Sequence, residues 1–270
     1  MFPVRSAAPH PDQSPFEIVD GDPACGLLLL CDHASNALPS AYGTLGLPPE
    51  QLQRHIAYDI GVRDLTLQLA AALGAPAVLT TYSRLLIDPN RGEDDPTLVM
   101  RLSDGAVVPG NADHDAAERA ARISAYHRPY HETVAARIDA SIAAGHPPAI
   151  LSIHSYTPVW RGNPRPWHAG ILWDSDPRFA VPLLETLRAE TGLVVGDNEP
   201  YDGALRNDCL YRHGTARGLA HALLEVRQDL IGDTEGVAGW SARLVPHLKR
   251  ILAERPELFQ IRQYGSRCAA

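Results

Sequence analysis

Short apolar runs alternate along this chain with longer stretches whose apolar residues recur every three or four positions. Residues 27–31 form a continuous apolar run closed by Asp32-His33, the pattern of a strand buried on both faces. Pro48-Pro49-Glu50 then opens a helical pattern in which Leu52, Ile56, Ile60, Leu65, Leu69 and Leu73 share a face, and Gly74 closes it. Residues 77–81 predict a second strand. Residues 113–144 read as helical, with a break at Pro129 where a new helix starts. After the turn Gly145-His146-Pro147-Pro148, the pattern predicts strands at 149–153, 169–173, 193–195 and 221–226, and helices at 177–191 and 237–253. Strands alternating with helices predict a single-domain α/β fold with a mostly parallel central sheet flanked by helices. No repeat or linker divides residues 16–270, and the Pro- and Ser-rich residues 1–15 are expected to be poorly ordered.

Residues 82–113, 156–168 and 196–214 lack a good period and are rich in Arg, Asp, Pro and Gly. Long loops in a domain of this kind are often functional. In open α/β sheets, ligands bind beyond the carboxyl ends of the strands. Three of the predicted strands end in chemistry: Asp32-His33-Ala34-Ser35, His154-Ser155 and Leu224-Glu225-Val226-Arg227.

Two imidazoles and a carboxylate converging on one crevice would suit a catalytic zinc ion, which takes three N/O ligands and keeps one position open. A Glu outside the ligand set can move protons between water and a leaving amine. Each residue also has a plainer role open to it. A histidine at a strand end can be a hydrogen-bonded structural group, and Glu225 can pair with Arg227 on the same strand face. A third ligand can come from His55 or Asp59, one turn apart on the predicted helix. His127 and His131 form a rival pair at the same spacing, with Pro129 between them. His213-Gly214, in a polar loop, can orient a substrate. Ser35 and Ser155 read as groups supporting their neighbouring histidines. There is no H-E-x-x-H, no G-x-S-x-G elbow, no P-loop and no Rossmann fingerprint.

Composition narrows the partners. With 45% hydrophobic and 21% charged residues, the chain has enough apolar content for a folded core. Its formal charge of −8 and lack of a Lys/Arg-rich run argue against nucleic acid or an anionic membrane surface as partner. The basic residues are nearly all Arg, Lys249 being a rare exception, and Arg suits bidentate carboxylate binding. Cysteines at 25, 31, 209 and 268 form no C-x-x-C pair, which argues against a thiolate zinc site, and they are too few in a chain of this length to suggest a disulfide scaffold. The opening segment has no apolar signal region and no run is long enough to span a bilayer, so a cytoplasmic location is expected. No feature specifies an oligomeric state.

The runs CDHASNALP, HIAYDIGVRDL, YSRLLIDPNR, YHRPYH, SIHSYTPVWRG and LLEVRQDLI together resemble the N-formylglutamate amidohydrolase family, over roughly residues 17–255. The stretches Asn198-Glu199-Pro200-Tyr201 and RPWHAG (165–170) resemble a divergent branch of predicted amidohydrolases. Ala34-Ser35 stands where the histidine-degradation enzymes of the family have Ser-Gly. The resemblance implies a fold like that of zinc-dependent exopeptidases (phosphorylase/hydrolase-like) and of N-acetylmuramoyl-L-alanine amidases. It implies one Zn²⁺ ion held by His33, Asp59 and His154, which favours Asp59 over His55, with Glu225 as acid/base. A metal-activated water would then cleave the linear amide of a small anionic N-acyl amino acid. Arg84, Asn90 and Arg91 fall on the family's Ser-Arg…Asp-x-Asn-Arg motif. With Arg227, His131 and His213 they are the candidate substrate-binding residues, forked guanidinium groups suiting carboxylates. Arg84 and Arg91 can equally pair with Asp88, Asp94 or Asp95. A peptidoglycan-type amide substrate, or a homologue that binds without turnover, are the other readings of the same motifs.

Overall fold

The computed structural model describes residues 10–268. Seven strands form the central sheet: β1 (Phe16–Val19), β2 (Leu27–Cys31), β3 (Ala77–Thr80), β4 (Ala149–Tyr156), β5 (Ala169–Leu172), β6 (Val195–Asp197) and β7 (His221–Arg227). Their order across the sheet is β1-β3-β2-β4-β7-β5-β6. The four inner strands from β3 to β7 run parallel. β1 is an antiparallel edge on β3, and β5 pairs antiparallel with β7. The carboxyl ends of β2, β4 and β7 therefore lie side by side. Parallel strands are buried on both faces, which is why β2 and β4 are buried at every position.

The α-helices of five residues or more are α1 (Val62–Leu73), α2 (Ala116–Arg122), α3 (Arg128–Ala143), α4 (Pro177–Arg188), α5 (Cys209–His213) and α6 (Thr234–Glu254). Alternation along the strands sends neighbouring side chains to opposite faces. Leu29, Leu151, Ile153 and Leu224 join a core with Leu65 and Leu69 of α1, Leu183 of α4, and Leu244 and Leu248 of α6. Leu28, Leu30, Ile150 and Leu223 pack on the other side with Tyr130, Val134 and Ile138 of α3 and Leu210 of α5.

The long segment 82–113 has a core of its own, in which Tyr82, Leu85, Ile87, Leu98 and Val108 pack with Leu45 and Ile56. Arg122, buried in α2, donates to Leu86 O and Asn111 Oδ1, and Asn111 donates in turn to Leu85 O and Met100 O. These bonds satisfy backbone groups that have no sheet or helix partner.

Four elements differ from the periodicity. Residues 48–73 are not one helix: a 3₁₀ turn at Pro49–Gln53 is followed by irregular chain, and α1 starts only at Val62. Gly61 precedes it at φ 82°, and a Cβ there would lie 2.0 Å from Ile231 O. Only glycine fits that left-handed turn under that contact. The helix across Pro129 does not break. A π-helical turn at Ile123–His127 leads straight into α3, widening the helix where proline lacks a donor. The predicted strand at 193–195 forms instead at Val195–Asp197, and α5 folds inside the polar stretch 196–214.

Of the N-terminal segment, residues 1–9 lie outside the described residues. Within 10–15, Ser14 O accepts from Thr81, and Asp12 accepts from Ser40 N at 3.0 Å. The four cysteines are unpaired. Among the described residues no helix is long and apolar enough to cross a membrane.

Gly61→Ala is expected to destabilise the domain by ~2 kcal/mol or more, through a positive φ and displacement of the Ile231 carbonyl. Thermal unfolding measures this, and an unchanged Tm would show that the turn relaxes freely.

Candidate metal centre

β2 delivers His33 two residues beyond its end, and β4 delivers His154 within its last turn of pleat. Glu225 on β7 is the direct register partner of His154. Asp59 arrives from the irregular segment ahead of α1. Its backbone N–H donates to His33 O at 3.0 Å, Ser155 Oγ donates to Ile60 O at 2.8 Å, and Ser83 Oγ donates to Ala57 O at 2.8 Å. Asp59 is therefore placed by a pinned loop, not by a helix face. His55 lines the same cleft, but its Nε2 lies 3.4 Å from Asp104, outside the cluster.

The three buried side chains meet at Asp59 Oδ2, which lies 3.3 Å from His33 Nδ1 and 2.9 Å from His154 Nδ1. The two rings stand edge to face with centroids 4.9 Å apart. Each histidine has its other nitrogen on a buried carboxylate: His33 Nε2 is 2.7 Å from Asp88 Oδ1, and His154 Nε2 is 3.3 Å from Asp32 Oδ2 and 3.1 Å from Ser152 Oγ. Asp32 is held by Tyr130 OH, and Asp88 by Arg84 Nη2 at 2.8 Å. With a metal bound, the carboxylates behind the Nε2 atoms would keep a proton there and leave each Nδ1 free to act as a ligand. Donor atoms of His33, Asp59 and His154 all lie within 4.8 Å of one another, the arrangement of a small N/O metal site.

Charge at the centre follows from this geometry. Burial alone would raise the Asp59 carboxyl, but the charges and hydrogen bonds of His33 and His154 hold it far below the usual range. Burial also works against the His154 cation, yet its bonds to Asp32 and Asp59 push it up to about 10. Burial pushes Glu225 up to about 8, with His154 opposing. Glu225 Oε2 is buried without a hydrogen-bond partner, a polar atom left pointing at something the chain does not supply.

A second buried trio, His131, Cys209 and His213, also has its donor atoms within 4.8 Å. There the imidazoles are already committed: His131 Nδ1 lies 2.9 Å from His213 Nε2, and His131 Nε2 lies 3.0 Å from Pro89 O. His127 Nε2 sits 2.9 Å from Arg91 O. Burial lowers His131 well below its ordinary value and His213 to about 3, so both rings are neutral. His127 and His131 thus brace the turn that carries Asp88, Asn90 and Arg91.

The cleft of about 250 Å³ is lined by His33, Asp59, His154, Glu225, Arg84, Asn90 and Arg91, with Tyr156, Tyr201, Asp208 and several leucines. The other substrate candidates sit elsewhere. His131 and His213 lie beneath the cleft, behind the 88–91 turn, and do not line it. Arg227 is also outside it, its guanidinium held by Asp229 at 2.8 Å and by the carbonyls of Arg165 and Trp167. Nor does Arg227 pair with Glu225. Arg84 lines the cleft but is clamped between Asp59 Oδ1 at 3.3 Å and Asp88 Oδ2 at 2.8 Å, the pairing alternative open to it. Asn90 Oδ1 accepts from Cys209 N at 3.2 Å. Sequence reasoning passed over Asp32 and Asp88 as partners of the histidines. The signal for Asp32 was present: a carboxylate at the end of an apolar strand must be satisfied by something buried.

Comparison with known proteins follows the same lines. A sequence model of N-formylglutamate amidohydrolase matches residues 25–232. A solved structure of a gene product from Agrobacterium tumefaciens superposes with a TM-score of 0.84 at 33% identity, over 90% of this chain and 96% of that one. The N-formylglutamate amidohydrolase structure from Ralstonia eutropha shares the fold at a TM-score of 0.66 and 22% identity, over 90% of this chain and 99% of that one. No curated protein sequence matches. With a family match spanning most of its strands, and both histidines, Asp59 and Glu225 within the matched span, the chain belongs to the N-formylglutamate amidohydrolase family.

Proposed function

We propose that the protein is a zinc-dependent amidohydrolase that cleaves the linear amide of an N-acyl amino acid, N-formyl-L-glutamate or a relative of it, with Glu225 as acid/base. The observation that carries this reading is the convergence of His33 Nδ1, His154 Nδ1 and Asp59 in an open cleft beside the unpartnered Oε2 of Glu225. Membership of the family supports amidohydrolase chemistry. The donor set fits zinc: two imidazoles and one carboxylate, each imidazole backed by a carboxylate. A zinc ion there supplies Lewis acidity, polarising the acyl carbonyl and acidifying a water molecule.

The rest belongs to the chain's own residues. Glu225 takes a proton from the attacking water. It returns that proton to the departing nitrogen as the C–N bond breaks, so one water yields the carboxylic acid and the free amine. A carboxyl pushed up to about 8 by burial is suited to holding a proton between those two moments. Arg84 offsets the buried charges of Asp59 and Asp88, between which it lies. Arg91, whose Nη2 has no protein partner among the described residues, is placed to hold the substrate carboxylate.

Two variants test the assignment. Glu225→Gln is expected to keep zinc at about one ion per chain while kcat falls by about 10²–10⁴. Metal analysis and release of carboxylate from N-formyl amino acids, before and after chelation, measure both quantities. Wild-type turnover in that variant would remove Glu225 from the mechanism. Asp88→Asn removes the charge 2.7 Å from His33 Nε2 and is expected to weaken zinc binding by about 10–100-fold. Competition with a chelator reads this, and unchanged affinity would mean that His33 is not a ligand.

A further inference from the structure

The guanidinium groups around this cleft are unequal, and the inequality bears on the substrate. Arg84 faces the cleft between two buried carboxylates. Arg227 is spent on Asp229 and two carbonyls outside it. Arg165 is buried, donates to Tyr201 OH at 3.0 Å and lies over the rings of Tyr156 and Trp160. Among these four only Arg84 and Arg91 line the cleft; the one unpartnered donor of Arg84 is its buried Nε, held between Asp59 and Asp88, whereas Arg91 keeps its terminal Nη2 without a partner among the described residues. Its ion pair with Asp95 is long, at 3.8 Å. His55, also in the lining, is shifted toward the neutral form by burial.

Part of the cleft lining is an apolar wall of leucines. Leu223 lies two residues before Glu225 on the same strand face, and Leu172 is its cross-strand partner on β5. Leu210 belongs to the same buried cluster, and Leu205 also lines the cleft. The acidic groups beside these leucines are Asp202, which pairs with Arg267 at 2.7 Å, and Asp208, whose carboxyl burial pushes up to about 7. Asp208 sits in the same lining as Leu205 and Leu210. A second substrate carboxylate laid against this wall would leave water without a cation to meet it and would face carboxyl groups instead. An alkyl or thioether side chain would lose only its contact with water, which is favourable.

The geometry points to a substrate class within the reading above: N-acyl amino acids with one carboxylate, held by Arg91, and an apolar side chain seated on Leu172, Leu205, Leu210 and Leu223, in preference to N-acyl glutamate. The inference rests on the amidohydrolase assignment, and its test separates the two. Zinc-loaded protein is assayed with N-formyl-L-leucine, N-formyl-L-methionine, N-formyl-L-glutamine and N-formyl-L-glutamate. The leucine and methionine compounds are expected to show kcat/KM at least about 10-fold above the glutamate compound, with glutamine between. Arg91→Gln is expected to raise KM for all four by about 10-fold or more with a smaller change in kcat. Leu205→Arg, at a partly exposed position, places a cation on the wall and is expected to move selectivity toward glutamate. Equal rates across the panel, or glutamate the best substrate of the wild-type protein, overturn the inference and leave the amidohydrolase reading intact. Hydrolysis of none of the four by protein that holds zinc overturns the reading itself, and the inference with it.

Discussion

Asp59, at 4% exposure, accepts from the Nδ1 atoms of two histidines and from a guanidinium, and the construction of the site follows from that burial. A carboxylate taken out of water must be compensated by charge and hydrogen bonds or it gives up its ionisation. His33, His154 and Arg84 provide the compensation, and each needs support in turn. Asp88 stands behind His33 and Arg84, and Asp32 behind His154. Tyr130 on α3 holds Asp32, and His127 and His131 on the same helical run hold the carbonyls beside Asp88. The buried network thus extends from the strand ends to α3 without an exposed link, which makes the donor atoms rigid before any ligand arrives.

The sheet order supplies the convergence. β2, β4 and β7 are adjacent and parallel, so the residues at their carboxyl ends reach the same crevice. His154 and Glu225 sit at the same level because their strands pair in register, and Gly170 opposite Glu225 leaves no side chain in the way. A Cβ on Gly170 would fall 1.8 Å from Glu199 O, so the backbone of the 196–214 segment closes over the sheet at this point. The same segment brings Tyr201, Leu205, Asp208 and Leu210 into the lining. Loop and sheet are therefore one construction, and the polarity of the cleft is decided where they meet.

Arginines show why spacing could not assign the anion-binding groups. Arg84, Arg91 and Arg227 look alike in sequence, each close to an acidic residue. Arg227 is held by Asp229, two residues on, and Arg84 by Asp88, four residues on, but the second carboxylate on Arg84, Asp59, comes from 25 residues away, and only the fold shows which guanidinium also lines the cleft. His55 and Asp59 posed the same problem. A helical pattern put both on one face, but two prolines and Gly61 at positive φ replace the helix there with a turn. The apolar residues Leu52 and Ile56 stand at a helical spacing because they pack inward from a 3₁₀ turn and irregular chain, and periodicity cannot distinguish that from a helix.

By itself the amino-acid sequence determined the α/β class, the strands at 27–31, 149–153 and 221–226, and the chemistry at their ends, because strands buried on both faces must be written as apolar runs and polar groups that close such runs stand out. It also carried the family resemblance on which Asp59 was chosen over His55. Tertiary structure alone decided which carboxylates stand behind the histidines, that Arg84 lies between two of them, and which side chains line the cleft. Those properties depend on partners far apart in the chain, and their energies depend on burial, which no local pattern of residues records.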